Sequence, residues 1–142
     1  MLNTMSARSM KSSDRPAVVA AWYDFAADPD RESLRAILAP DVTFRSPAVH
    51  TPQEGPQITE AYLWAALQVL GPTIEYVHEW YDESSAVLMF TATIDGRDVN
   101  GIDIISWDEA GRIVDFTVMA RPFKGLQALI TAMGAELEKQ DR

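Results

Sequence analysis

The sequence predicts an α+β fold, a curved antiparallel sheet wrapped as a cone around helices from the first half of the chain. Three observations predict it. Apolar residues recur at helical spacing three times before Gly71. From Thr73 onward the hydrophobic period changes to two, and four strand-like segments follow, separated by turn residues. A short β-rich segment, Val42-Thr43-Phe44-Arg45-Ser46, lies between the second and third helices and ends at Pro47. With 142 residues and 47% hydrophobic content, the chain makes one domain whose core needs no disulfide or metal staple.

The elements follow in order. Residues 1–15 are polar and basic and read as a disordered lead-in, with Ser13 or Asp14 as the first helix cap and the single domain spanning 16–142. Pro16 suits a first helical turn, and Val18, Val19, Trp22 and Phe25 or Ala26 recur at helical spacing up to Asp28-Pro29. Asp30 caps a second helix through Ala39, which Pro40 ends. The loop His50 to Pro56 leads to a third helix carrying Ile58, Tyr62, Ala65, Ala66, Val69 and Leu70, stopped by Gly71-Pro72. In the first meander strand Ile74, Tyr76, His78 and Trp80 share one face by strict alternation. Ala86 to Ile94 and Val99 to Trp107 are apolar on both faces and joined by Asp95-Gly96, a hairpin dipeptide. Arg112 to Arg121 is the last strand, and a helix from about Lys124 to Glu138 follows. One apolar sheet face meets the helices. The other, with Val87, Met89, Ile102, Ile104, Thr117 and Met119, predicts a homodimer.

Composition excludes several function classes. The absence of Cys removes disulfides, thiolate metal sites and a cysteine nucleophile, and two His cannot make a three-His metal site. No metal or cofactor is expected. A net charge of −9, from 21 acidic and 12 basic residues, repels phosphate backbones and anionic membranes, so no nucleic-acid or membrane partner is expected. No segment is long and apolar enough to span a bilayer or to serve as a secretory signal, which predicts a cytoplasmic protein.

A cone-shaped sheet leaves a cavity against its helices, and polar residues pointing into it stand out as candidates for a small apolar ligand's contacts. Asp103 shares its strand face with Val99, Gly101, Ile105 and Trp107, surroundings that raise a carboxyl pKa and keep it protonated. His78, between Tyr76 and Trp80 on the apolar side, is the candidate base. Trp22, Tyr62, Leu88, Phe90, Phe116 and Val118 are candidate lining, and Ser46 stands beside Pro47 at the end of the first strand. His50 is a candidate for the pocket mouth, while Arg45 and Arg121 pair with surface acids. A phosphate-cradling glycine loop and a nucleophile elbow are both absent from the sequence.

Three segments carry a family resemblance: WYDFAADPDRESLRAILAPDVTFRSP, GPTIEYVHEWYD and NGIDIISWDEAGRIVDFTVMARP. Over roughly residues 16 to 130 the chain resembles the nuclear transport factor 2-like superfamily, which includes SnoaL-like polyketide cyclases, ketosteroid isomerase and scytalone dehydratase. The resemblance implies the cystatin-like roll and cofactor-independent acid–base chemistry, by an isomerase, cyclase or dehydratase, on a carbonyl or polycyclic substrate. Asp103 matches the protonated oxyanion-hole Asp of ketosteroid isomerase. Ser46 stands where that enzyme has its basic Asp, and its oxyanion Tyr would fall near Trp22, with Tyr23 one step away. His78 lies in a context similar to the strand bearing the catalytic His of scytalone dehydratase, whose Tyr-Asp pair would fall at Ala26-Ala27. The Asp-Arg-Asp set of the limonene-epoxide-hydrolase-like relatives is not visible. The alternative is a non-catalytic ligand-binding or interaction domain in which Asp103 and His78 bond to each other.

Overall fold

The computed structural model describes residues 14–140. Within them run α1 (Ala17–Ala27), α2 (Arg31–Ala36), β1 (Leu38–Arg45), β2 (Gln53–Glu54), α3 (Pro56–Leu70), β3 (Glu75–Tyr81), β4 (Ser85–Ile94), β5 (Arg97–Trp107), β6 (Ile113–Arg121) and α4 (Phe123–Gln140). The strands form one sheet in the order β2-β1-β6-β5-β4-β3. The last four make the expected antiparallel meander. β1 joins β6 in parallel, Phe44 opposite Phe116, and carries β2 on its other edge.

The start of the fold differs from the reading of the sequence. Pro16 itself is the N-cap of α1 and its carbonyl accepts from Ala20 N–H at 3.0 Å, so Asp14 does not cap the helix. Ser13 lies outside the described residues. Arg15 is anchored to Glu79, which moves the start of the folded domain back by at least one residue. Asp30 caps α2 through Glu32 N–H and Ser33 N–H. That helix ends at Ala36 rather than Ala39, because Leu38 pairs with Ile113 and the Ile37 carbonyl accepts from Ile113 N–H at 2.8 Å. Pro40 is tolerated inside β1 where the register with β6 shifts, a place that needs no ladder donor.

Two further backbone features position the site. Gly55, at φ +101°, turns the chain into α3, with Pro56 in the first helical turn. A bulge interrupts β3 between Tyr76 and His78: Tyr76 faces Phe90 across the ladder, yet His78 faces Met89 and Glu79 faces Leu88. The extra residue reverses the strand's alternation. Tyr76 and Glu79 both point toward the helices, and His78 and Trp80 point away.

The helices cover the inner face of the sheet and bury two apolar clusters. The first joins Val19, Trp22 and Phe25 of α1, Leu34 of α2, Phe44 of β1, Leu63 and Leu67 of α3, and Leu88, Ile105 and Phe116 of the sheet. The second joins Ala65, Ala66 and Leu70 of α3, Phe90, Ala92, Ile94 and Val99 of the β4–β5 hairpin, and Leu129 and Met133 of α4. Asp95 and Gly96 both take positive φ, as a tight hairpin turn between these strands requires. No helix among the described residues is long and apolar enough to cross a membrane.

Candidate functional site

A cavity of about 20 Å³, room for about one water, lies along the seam between the two clusters. Trp22, Phe44, Leu63, Phe116 and Val118 line it from the first cluster, and Ala66, Leu70, Leu129 and Met133 from the second. Pro47 and Ile74 complete the apolar wall. Its titratable lining groups, among the described residues, are Asp103 and Tyr76.

Asp103 sits on β5 between Leu88 and Val118 of the flanking strands and is 5% exposed. The Tyr76 hydroxyl donates to its Oδ2 at 2.7 Å, and the Trp22 Nε1–H donates to the Tyr76 hydroxyl at 2.9 Å. Each donor in this chain points toward the carboxyl, and Asp103 Oδ1 has no hydrogen-bond partner among the described residues. Loss of hydration raises the carboxyl from 3.8 to about 7, against the opposing pull of the Tyr76 hydrogen bond. Burial likewise raises the Tyr76 phenol well above its usual value, with the Asp103 charge adding to the effect.

Beside the cavity, Glu79 collects a second set of contacts. Arg15 donates to it through Nε and Nη2, both at 3.1 Å, and the Tyr23 hydroxyl donates at 2.8 Å. The Arg15 guanidinium lies 4.3 Å above the Tyr23 ring, which meets the Tyr76 ring in a T-shaped contact with centroids 5.1 Å apart. Burial and the Glu79 hydrogen bond both raise the Tyr23 phenol.

The other sequence candidates separate. Trp22, Phe116 and Val118 line the cavity as expected. Leu88 and Phe90 are fully buried in the core and Tyr62 packs on Phe44, so these three stand behind the wall rather than on it. Ser46 Oγ accepts from Ala48 N–H at 2.8 Å and holds the turn beyond Pro47. His78 is a correction: the bulge sends it to the outer face, where it is exposed and stacks on Trp80 with ring centroids 5.5 Å apart. It does not meet Asp103, whose partner is Tyr76. His50 is exposed on its loop and is not among the residues lining the cavity. Arg45 bonds Asp115 at 3.0 Å as expected, whereas Arg121 reaches Asn100 instead of an acid. Sequence reasoning does not single out Tyr76, although its place on the apolar side of β3 is legible and a phenol at that depth is the signal that marks it. Among the described residues no cluster of His, Asp or Glu is suited to hold a metal.

Comparison with known proteins agrees with this architecture. A family model for the SnoaL-like domain matches residues 19–116. No curated protein matches the chain. A steroid delta-isomerase from Pseudomonas aeruginosa is 39% identical with a TM-score of 0.82, over 87% of this chain and 91% of that one. A protein with a cystatin-like fold from Silicibacter pomeroyi is 30% identical with a TM-score of 0.78, over 84% of each chain. A putative polyketide cyclase from Sinorhizobium meliloti, 18% identical with a TM-score of 0.63 over 78% of this chain and all of that one, shares the fold. Helices packed on a curved six-stranded sheet, with Asp103 at the floor of the cavity between them, accompany the family match, and the chain belongs to the SnoaL-like domain family.

Proposed function

We propose that the protein binds a small apolar carbonyl compound and promotes acid–base rearrangement of it without a cofactor. The observation that carries the reading is the one-directional chain Trp22 to Tyr76 to Asp103, which occupies Oδ2 and leaves Oδ1 for a ligand. A carboxyl that stays neutral up to about pH 7 donates from Oδ1 to a carbonyl oxygen. When that oxygen gains charge during enolisation, the same hydrogen bond strengthens and lowers the barrier. Apolar walls favour a hydrophobic substrate, which has to widen the cavity beyond its room for about one water, and the similarity to a steroid delta-isomerase supports a ketone among isomerase, cyclase and dehydratase substrates.

A second reading has its own observation. His78 lies outside the cavity, so no titratable side chain lining it among the described residues stands ready to remove a carbon-bound proton beside the neutral Asp103. That favours a pocket that binds without turnover. Incubation with a β,γ-unsaturated ketosteroid, followed by ultraviolet absorbance of the conjugated enone, separates the two. Asp103→Asn keeps a donor and an acceptor in place and is expected to hold ligand affinity within about tenfold, while Asp103→Ala loses about 1 to 3 kcal/mol. Equal losses in both variants, or a carboxyl that ionises near its ordinary value by carbon-detected NMR, would sink the donor role.

We also propose that a second copy covers the outer face, where Met119 is 54% exposed beside the half-buried Val87, Met89, Ile102 and Ile104. Sedimentation at micromolar concentration is expected to give a dimer, and a stable species of 15.8 kDa would exclude it.

A further inference from the structure

The middle member of the Trp22–Tyr76–Asp103 chain stands on the least supported strand of the sheet. β3 is an edge strand, paired with β4 on one side only, and its ladder is broken by the bulge that follows Tyr76. Edge strands with an interrupted ladder open more easily than central ones. The Tyr76 phenol nevertheless has to hold one orientation, with its hydrogen aimed at Asp103 Oδ2 and its lone pair at Trp22 Nε1.

We infer that Arg15, Tyr23 and Glu79 form a positioning clamp that staples β3 to α1 and so fixes the Tyr76 phenol against Asp103. The inference rests on the reading of Asp103 as the functional carboxyl. The geometry is reciprocal. The bulge brings Glu79, three residues after Tyr76, to the inner face, and α1 meets the pair with two consecutive residues. Trp22 donates to the Tyr76 hydroxyl, and the Tyr23 ring makes a T-shaped contact with the Tyr76 ring while its own hydroxyl donates to Glu79. Arg15 closes the arrangement from in front of α1, forking onto Glu79 and lying over the Tyr23 ring. Glu79 is 12% exposed at its side chain and Arg15 27%, so the ion pair is partly shielded from water and holds better than an exposed one. None of these three side chains lines the cavity, and so they act on a ligand through Tyr76. In a sheet without the bulge, His78 would face inward and Glu79 outward, and no clamp would form.

Two NMR readouts on the ligand-free protein test the clamp without reference to turnover. The first is the titration midpoint of the Asp103 carboxyl carbon, and the second is the Trp22 indole N–H resonance, which reports its bond to Tyr76. Tyr76→Phe removes the donor to Asp103 Oδ2 and is expected to raise the midpoint by about one pH unit, the size of a lost hydrogen bond to a charged group. Tyr23→Phe and Glu79→Gln leave the cavity wall and Tyr76 in place. Both are expected to move the midpoint in the same direction by at least half as much and to shift the indole resonance. Adding Tyr23→Phe to Tyr76→Phe should then change nothing further. A midpoint and an indole resonance that stay where they were in folded Tyr23→Phe and Glu79→Gln overturn the clamp, as does a double variant in which the two effects add. If Tyr76→Phe does not fold, the indole shift in the other two variants still decides. Absence of turnover or of ligand binding in the wild type counts against the proposed function and leaves these readouts intact.

Discussion

The two halves of the core are built on different principles. The first cluster is interlocked by aromatic rings from three elements: Trp22 lies 4.9 Å from Phe116 and 5.3 Å from Phe25, and Phe116 lies 6.1 Å from Phe44. The second is thin. Phe90 is its single buried aromatic among the described residues, small Ala65, Ala66 and Ala92 fill the middle, and α4 closes it from above with Leu129 and Met133. Tyr62 and Tyr76 pack against both clusters, and the cavity opens where they meet. Dense aromatic packing on one side of the cavity and small side chains on the other predict that a ligand larger than about one water enters by displacing the second cluster, with the Trp22 donor held in place. The matched family segment ends at Phe116, so α4 and its two cavity residues come after it.

Three tests probe that contrast, from the largest effect to the smallest. Trp22→Ala deletes the centre of the aromatic half and is expected to cost about 3 to 5 kcal/mol in chemical denaturation, with loss of ligand binding as Tyr76 loses its donor. If Met133→Ala in the other half costs as much, the two halves are not mechanically distinct. Asp103→Asn sharpens the comparison through pH. Folding raises the Asp103 pKa from 3.8 to about 7, so the folded state holds a proton that the unfolded chain releases in this window. Stability from the neutral carboxyl is therefore complete below pH 4 and falls as pH rises toward 7. Relative to Asp103→Asn, the wild type is expected to lose on the order of 3 to 4 kcal/mol between those limits and nothing further above them, as measured by thermal unfolding across pH. A parallel pH dependence in both proteins would show that the carboxyl ionises normally. The smallest effect belongs to Gln140, which ties the end of α4 to the Ala61 carbonyl at 3.0 Å and accepts from Arg31 at 3.3 Å. Gln140→Ala is expected to cost about 1 kcal/mol or less and to speed hydrogen exchange in α4 while leaving α1 protected.

Much of this was legible along the chain because it depends on local spacing. The helices of the first half, the meander and the burial of Asp103 each follow from a period maintained over several residues, and β5 is regular from Arg97 to Ser106 against β4 and from Asn100 to Ser106 against β6. Alternation alone therefore sets Asp103 among Val99, Gly101 and Ile105, all of them buried with it on the inner face. The family pattern likewise resides in short contiguous segments.

The tertiary structure decided what depends on a partner. Leu38 and Ala39 continue a helical pattern by composition, yet β6, more than seventy residues later, offers Ile113 as a strand neighbour and claims them for β1. His78 and Glu79 exchanged faces because a bulge is a property of the β3–β4 ladder, where two residues on one strand oppose one on the other, and nothing within β3 announces it. The same offset placed Glu79 against Tyr23 and Arg15, and put Tyr76 rather than His78 beside Asp103. Alternation along a single strand determines which residues share a face only while the pairing stays in register, and the register is set by both strands together.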